Sequence, residues 1–187
     1  MSRRVLFILF LLFSFGALLF WRPFVDDREQ GTQQRPASLK PDFIARGLVT
    51  RLYQPDGKLA HRIDADAMKH YSPIGLTELE RPVYIVYAKD GQATWRVSAD
   101  IGTYYDDKTL ILERNVNIVD MDDSSVLDNI VTSYLVVDMV AESMTTDHPV
   151  TITGKRFQAR GEGMVADLYA EQVELKRHAE TIYYQSN

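Results

Sequence analysis

Three segments of the form Val-x-Ile, at Val83-Tyr84-Ile85, Val116-Asn117-Ile118 and Val150-Thr151-Ile152, recur at spacings of 33 and 34 residues. Each follows a polar tripeptide: Glu80-Arg81-Pro82, Glu113-Arg114-Asn115 and Asp147-His148-Pro149 in turn. A second element repeats with them, since Arg62-Ile63-Asp64-Ala65-Asp66 matches Arg96-Val97-Ser98-Ala99-Asp100 after 34 residues. Successive side chains on a strand point to opposite faces, so alternation of this kind gives one buried face and one wetted face. A repeat of this length marks a supersecondary unit that buries its face only against its neighbours. The pattern is densest from Trp95 to Asp120, with apolar positions at Trp95, Val97 and Ala99, then Leu110 and Leu112, then Val116 and Ile118. Asp106-Asp107-Lys108 and Glu113-Arg114-Asn115, both turn-forming, separate the bursts. The stretch reads as an antiparallel meander with one greasy side.

The same reading extends over most of the chain after Asp42. Strands are expected at 44–53, 59–66, 75–79, 83–87, 94–99, 103–105, 109–113, 116–119, 126–132, 135–138, 150–153, 155–160, 164–169 and 172–175, with 180–187 as a last edge strand or tail. Gln54-Pro55-Asp56-Gly57 puts Pro and Gly where a tight turn needs them and joins the first two strands as a hairpin. Between Met164 and Arg177 the positions Val165, Leu168 and Gln172 also fit a helical stripe. Every preceding unit is β, so strand is the expectation there too. Residues 42–187 then form one all-β domain, large enough to bury roughly two thirds of its unfolded surface without a metal or disulfide staple.

The N-terminal part differs in kind. Val5 to Trp21 is apolar except at Ser14 and Gly16. As a helix it spans about 25 Å, slightly less than a ~30 Å hydrocarbon core. Arg22 snorkelling and Trp21 at the interface close the gap. No small-x-small cleavage site follows, so residues 1–22 are expected to be a cytoplasmic stub and a transmembrane anchor rather than a signal peptide. Arg3 and Arg4 hold the stub in the cytoplasm and send the rest of the chain out. Residues 23–41, polar and rich in Gln, Arg and Pro, are expected to be a flexible tether.

The 187 residues carry a net charge of −5 and no cysteine. Three of the 21 basic residues, Arg3, Arg4 and Arg22, lie in residues 1–22, and the rest of the chain is left with 18 against 26 acidic groups. An acidic body argues against nucleic acid, which needs a basic footprint, and against adhesion of the body to anionic membrane. Lack of cysteine excludes disulfides, thiol catalysis, Cys-based zinc sites and a lipidated N-terminal cysteine.

Catalytic and metal-binding patterns are weak. His61, His70, His148 and His178 stand at unrelated spacings with no metal-ligand pattern and read as surface or strand-edge residues. Asp120-Met121-Asp122-Asp123 lacks the glycine and bidentate glutamate of a calcium loop and reads as a solvated loop. No nucleophile elbow, phosphate loop or dinucleotide fingerprint is found, and Gly161-Glu162-Gly163 reads as a turn. No enzyme, metal or cofactor is expected. Asp64, Asp66 and Asp100 remain as acids for the competing reading of a membrane-tethered hydrolase.

Several segments carry a resemblance to a known family: Leu52-Tyr53-Gln54-Pro55-Asp56-Gly57, the strand from Trp95 to Asp100, Asn115-Val116-Asn117-Ile118 and Val150-Thr151-Ile152-Thr153-Gly154. In order and spacing, from about Gly47 to Tyr183, the body resembles the LptC family of the bacterial lipopolysaccharide export bridge. The anchor is similar in character only. The resemblance implies a single-pass protein of the cell inner membrane with a periplasmic β-jellyroll of two facing antiparallel sheets. It implies lipopolysaccharide received from the LptB/LptF/LptG transporter, with LptF and LptG at the N-terminal edge and transmembrane helix. It further implies transfer to LptA by strand pairing at the C-terminal edge, and ATP hydrolysis by LptB rather than by this chain. By position, Leu48, Leu79 and Val173 fall on the family's lipid path, Gly154 on a family glycine, and Tyr183 where the C-terminal edge meets its partner.

Taken with the alternation, the candidates for acyl-chain contact are Leu48, Ile63, Leu79, Val83, Ile85, Trp95, Val97, Leu110, Leu112, Val116, Ile118 and Val173. Gly154 and Tyr183 are the candidates for the partner interface. The expected function is non-enzymatic lipopolysaccharide transfer. The alternative is a membrane-anchored docking protein that assembles neighbours and touches no lipid.

Overall fold

The computed structural model describes residues 40–184 apart from Asp123 and Glu171. The expected anchor and nearly all of the tether lie outside these residues. Among the described residues no helix is long and apolar enough to cross a membrane.

Eleven strands form one antiparallel sheet. They are β1 (Phe43–Tyr53), β2 (Leu59–Tyr71), β3 (Leu76–Glu80), β4 (Val83–Tyr87), β5 (Ala93–Ser98) and β6 (Ile101–Tyr105). The long strands β7 (Thr109–Asp120), β8 (Leu127–Asp138), β9 (Ser143–Gly154), β10 (Phe157–Asp167) and β11 (Val173–Tyr183) follow. The all-β expectation holds, and the stretch from Met164 to Arg177 is two strands and a turn, with no helical stripe.

The sheet is folded over, as its register shows. β2 pairs β4 through His61–Asp64 but β3 through Ala67–Tyr71. β7 pairs β6 through Leu110–Glu113 but β5 through Asn117–Asp120. Each long strand therefore belongs to two half-sheets, one containing β4 and β5, the other β3 and β6. A crease runs between the halves. Along it the backbone takes left-handed conformations at Gly47, Arg81, Arg114, Asn115 and Gly163. On β7, Arg114 and Asn115 together oppose the single residue Ser133 of β8, a bulge that bends the strand while keeping its inward phase. Glu113-Arg114-Asn115 thus kinks one continuous strand where the sequence suggests a turn between two.

Polar groups stitch the outside of the crease. Arg81 Nε donates to Asp66 Oδ2 at 2.6 Å and Asn115 Nδ2 to Asp100 Oδ2 at 2.7 Å. Ser133 Oγ lies 2.8 Å from His148 Nδ1, and that imidazole stacks on Tyr134. Lys176 Nζ donates to Asp147 Oδ1 at 2.7 Å, and Arg177 pairs with Glu162 at 2.9 Å. Exposed pairs of this kind contribute about 0–1 kcal/mol each. They follow the bend and do not create it.

The inward faces of both halves meet in a single apolar core. In the first half one row runs Ile63, Tyr84, Val97, Ile118, Ile130, Ile152 and Ala159 through directly paired residues. In the second half a row runs Tyr104, Leu110, Val137, Met144, Ala166 and Val173. β4 corrects one expectation. Tyr84 and Val86 are fully buried, whereas Val83 and Ile85 are half-buried on the opposite face and outside the core. Since Val83-Tyr84-Ile85-Val86-Tyr87 is apolar throughout, alternation gives no phase there. The pairing of Tyr84 with Ile63 and Val97 sets it.

This assignment makes opposite demands on two isoleucines of the repeat. Ile118→Ala is expected to destabilise the fold by about 2–5 kcal/mol, as for truncation in a closed core, and Ile85→Ala by about 1 kcal/mol or less. Urea unfolding of both variants measures the difference, and equal losses would reverse the assigned phase.

Candidate functional site

The candidate groove lies between the half-sheets, with the crease as its floor and the strand ends as its mouth. Ile63, Leu79, Trp95, Val97, Leu110, Leu112, Val116 and Ile118 all lie in the shared core. Leu48 on β1 and Val173 on β11 are half-buried against it. Ten of the twelve candidates thus fall on the inward faces, and only Val83 and Ile85 do not. The interior is filled in this state: Tyr84, Leu110, Leu112, Ile118, Ile130, Val137 and Met144 have no exposed surface.

At the mouth a cavity of about 340 Å³ separates the two rims. Leu52, Gln54, Pro55, His61 and Lys89 line it from the first half, and Lys108, Met139, Glu142 and Tyr169 from the second. Gln54 on the first rim and Tyr169 on the second face this cavity together. Burial raises the Tyr169 pKa, and nearby Glu142 adds to the effect.

Beneath this cavity sits a buried polar pair. His61 is 6% exposed, so it is not the surface or strand-edge histidine its sequence context suggests. Its Nδ1 lies 2.9 Å from the Tyr84 hydroxyl and the rings stack. Burial disfavours charge on both groups, lowering the His61 pKa and raising that of Tyr84 well above the ordinary phenol range. The signal in the sequence was phase alone: His61 stands two residues before inward Ile63.

Both ends of the sheet are open. Among the described pairings β1 meets only β2, and β11 meets only β10. At the β11 end, Gly154 is buried opposite Phe157 on β10, which in turn opposes Tyr183 on β11. A Cβ on Gly154 would lie 2.3 Å from Phe157 Cε1 and 2.5 Å from the Val126 carbonyl oxygen, so only glycine fits under that ring. The Phe157 ring lies 6.5 Å from that of Tyr183, which is 78% exposed.

Residues 6–184 match the family described as lipopolysaccharide-assembly, LptC-related. The chain belongs to the LptC family. It is 28% identical over 143 residues to the lipopolysaccharide export system protein LptC of Escherichia coli strain K12, covering 76% of this chain and 75% of that protein. To the LptC protein of Haemophilus influenzae it is 27% identical over 160 residues, covering 76% and 77%. Its fold is similar to that of LptH from Pseudomonas aeruginosa, a periplasmic lipopolysaccharide-transport component homologous to LptA. There the TM-score is 0.50 and the identity 12%, over 63% of this chain and 82% of LptH. Membership of the LptC family assigns the chain to lipopolysaccharide export, a transport component of a family not known for catalysis.

Two outcomes follow for this LptC-family chain. The folded-state pKa of His61 lies below its unfolded value near 6.5, so the unfolded chain binds more protons as pH falls below neutral. Stability is therefore fully present above pH ~6.5 and is lost as pH falls toward and through the depressed value. His61→Gln is expected to flatten this part of the dependence in urea titrations between pH 7 and 5. Gly154→Ala is expected to displace Phe157 and loosen the end of β11. Faster hydrogen exchange at Thr181 to Tyr183, with Ile63 on β2 unchanged, is the readout.

Proposed function

We propose that the chain is a non-enzymatic relay for lipopolysaccharide. It is anchored in the inner membrane by Val5 to Trp21, with its β-jellyroll body in the periplasm. It takes the lipid from the LptB/LptF/LptG transporter at the β1 edge and hands it to LptA at the β11 edge. The observation that carries the reading is the unbroken apolar lining between two open edges, from half-buried Leu48 on β1 through Leu79 and Ile118 to half-buried Val173 on β11. Carrying an acyl chain bare through water opposes transfer by about 0.8 kcal/mol for every CH₂, so a carrier needs continuous apolar contact along its path. Open edges are hazards unless paired, and β-augmentation by neighbouring strands meets that requirement at both ends.

The filled interior sets a condition on this relay. Tails enter only where the halves part, and the mouth is the side at which they part, since the crease is continuous backbone. Tail methylenes then replace the contacts that core side chains make with each other, at little net change in buried apolar area.

Full burial of Tyr84, Leu112 and Ile118 favours the competing reading, a docking protein with a sealed core. Photo-crosslinking residues at Leu48, Leu79 and Val173 separate the two in cells that export lipopolysaccharide. Light-dependent lipopolysaccharide adducts are expected at all three and none at the outward Ile85. Absence of adducts at every inward position, with the chain folded, would leave the docking reading standing.

A further inference from the structure

Trp95 carries an orphaned donor. The side chain is 1% exposed, and its Nε1 is a buried side-chain polar atom of the described residues with no hydrogen-bond partner. Buried donors are nearly always paired in native proteins. Its neighbours across the strands are Val86 on β4 and Asp120 on β7. The Val86 side chain offers no acceptor, its carbonyl accepts from the Thr94 hydroxyl at 3.4 Å, and an Asp120 carboxylate oxygen is engaged by the backbone N–H of Asp122 at 3.0 Å.

The position of this donor is informative. Val86 pairs with His61 as well as with Trp95, so all three stand in one row of the first half-sheet, and His61 lines the mouth cavity. The next row toward the crease is wholly apolar at Val97, Ile118 and Ile130 apart from the Tyr84 hydroxyl. Trp95 therefore marks the level at which a lipid entering by the mouth passes from polar surroundings to hydrocarbon.

We propose that the Trp95 indole N–H donates to the carbonyl oxygen of an acyl ester or amide, at the bond joining a fatty tail to its head group. The proposal rests on the relay reading and names the group of the lipid recognised there. An indole nitrogen donates and never accepts, so its partner must be an acceptor. An alkyl tail has none. A phosphate or sugar brought to a site this buried loses its hydration, which disfavours it strongly. An ester or amide carbonyl is the acceptor that arrives bonded directly to a tail. Pairing with it fixes how far the tail inserts, and it satisfies a donor that has no partner within the protein.

The test uses the full chain, labelled with ¹⁵N-tryptophan and held in dodecyl maltoside, whose alkyl tail carries no carbonyl. Trp21→Phe assigns the two indole resonances. Addition of lipopolysaccharide is expected to move the Trp95 indole proton downfield, and further detergent alone is not. Trp95→benzothienylalanine keeps the bicyclic shape and removes only the donor. It is expected to bind lipopolysaccharide about three- to tenfold more weakly, as for loss of one neutral hydrogen bond, with no fall in unfolding midpoint. An unmoved resonance, or unchanged affinity in the benzothienyl chain, while adducts still form at Leu48, would overturn the proposal and leave the relay standing. No adducts in the unsubstituted chain would overturn both. The resonance of the unsubstituted chain decides the matter even if the benzothienyl chain does not fold.

Discussion

The structure depends on one constraint: every long strand must bend at the same level and still turn buried side chains inward on both sides of the bend. Inward residues stay four apart across the bend on β7 and β9, at Leu112 and Val116 and at Thr146 and Val150. They lie three apart on β8, at Thr132 and Leu135, so the partner of a bulged strand changes its phase there. Bulges meet the constraint by adding residues on one strand only. Arg114 and Asn115 on β7 oppose Ser133, while Asp147 and His148 on β9 oppose Gly163. Inward positions resume on the far side, at Val116 after Leu112 and at Val150 after Thr146. Folding the sheet is what turns two apolar faces toward each other, and the core and groove are consequences of that fold.

Much of this was legible in the sequence wherever polar and apolar residues alternate. Val97, Leu110, Leu112, Val116 and Ile118 were assigned correctly because Ser98, Asn117 and Glu113 mark the other phase. Uniform stretches gave no phase, which is why Val83 and Ile85 were placed on the wrong face. The first half of β9, Ser143 to Thr146, was missed for the opposite reason. It is largely polar, yet Thr146 is 3% exposed and its Oγ1 accepts from the His148 N–H at 3.1 Å. A polar side chain that satisfies itself on neighbouring backbone packs like an apolar one, and period alone does not reveal it. Continuity of β7 and β8 across the crease was also beyond pattern reading, since a bulge and a turn draw on the same residue types.

The filled core and the function in lipid export pull in different directions, and the geometry shows how they coexist. Side chains with no exposed surface hold the two halves together, as stability in water requires. The two rims, by contrast, meet around a cavity lined by Gln54 on one side and Tyr169 on the other. On the crease side, parting the halves breaks backbone pairing in every long strand. At the mouth it breaks side-chain contacts alone. Opening is therefore cheapest on the side facing away from the crease, and in the proposed relay the surface it exposes is the surface a tail covers again.

Polarity across the groove follows the same direction. The crease is sealed by Ala65, Val116 and Val150, and the buried hydroxyls beside it, on Thr132 and Thr146, close on local backbone: Thr132 donates to the Pro149 carbonyl at 3.0 Å and Thr146 accepts from the His148 N–H at 3.1 Å. His61, the Tyr84 hydroxyl and Trp95 Nε1 all lie toward the mouth, in the two rows beyond it. An interior built only to be filled has no reason to set apart, on one side, the buried polar groups that do not close on backbone, because each carries a desolvation penalty wherever it sits. An interior that receives an amphiphile does have a reason. In the proposed relay, tails run toward the crease while the polar junction stays at the level of Trp95 and His61.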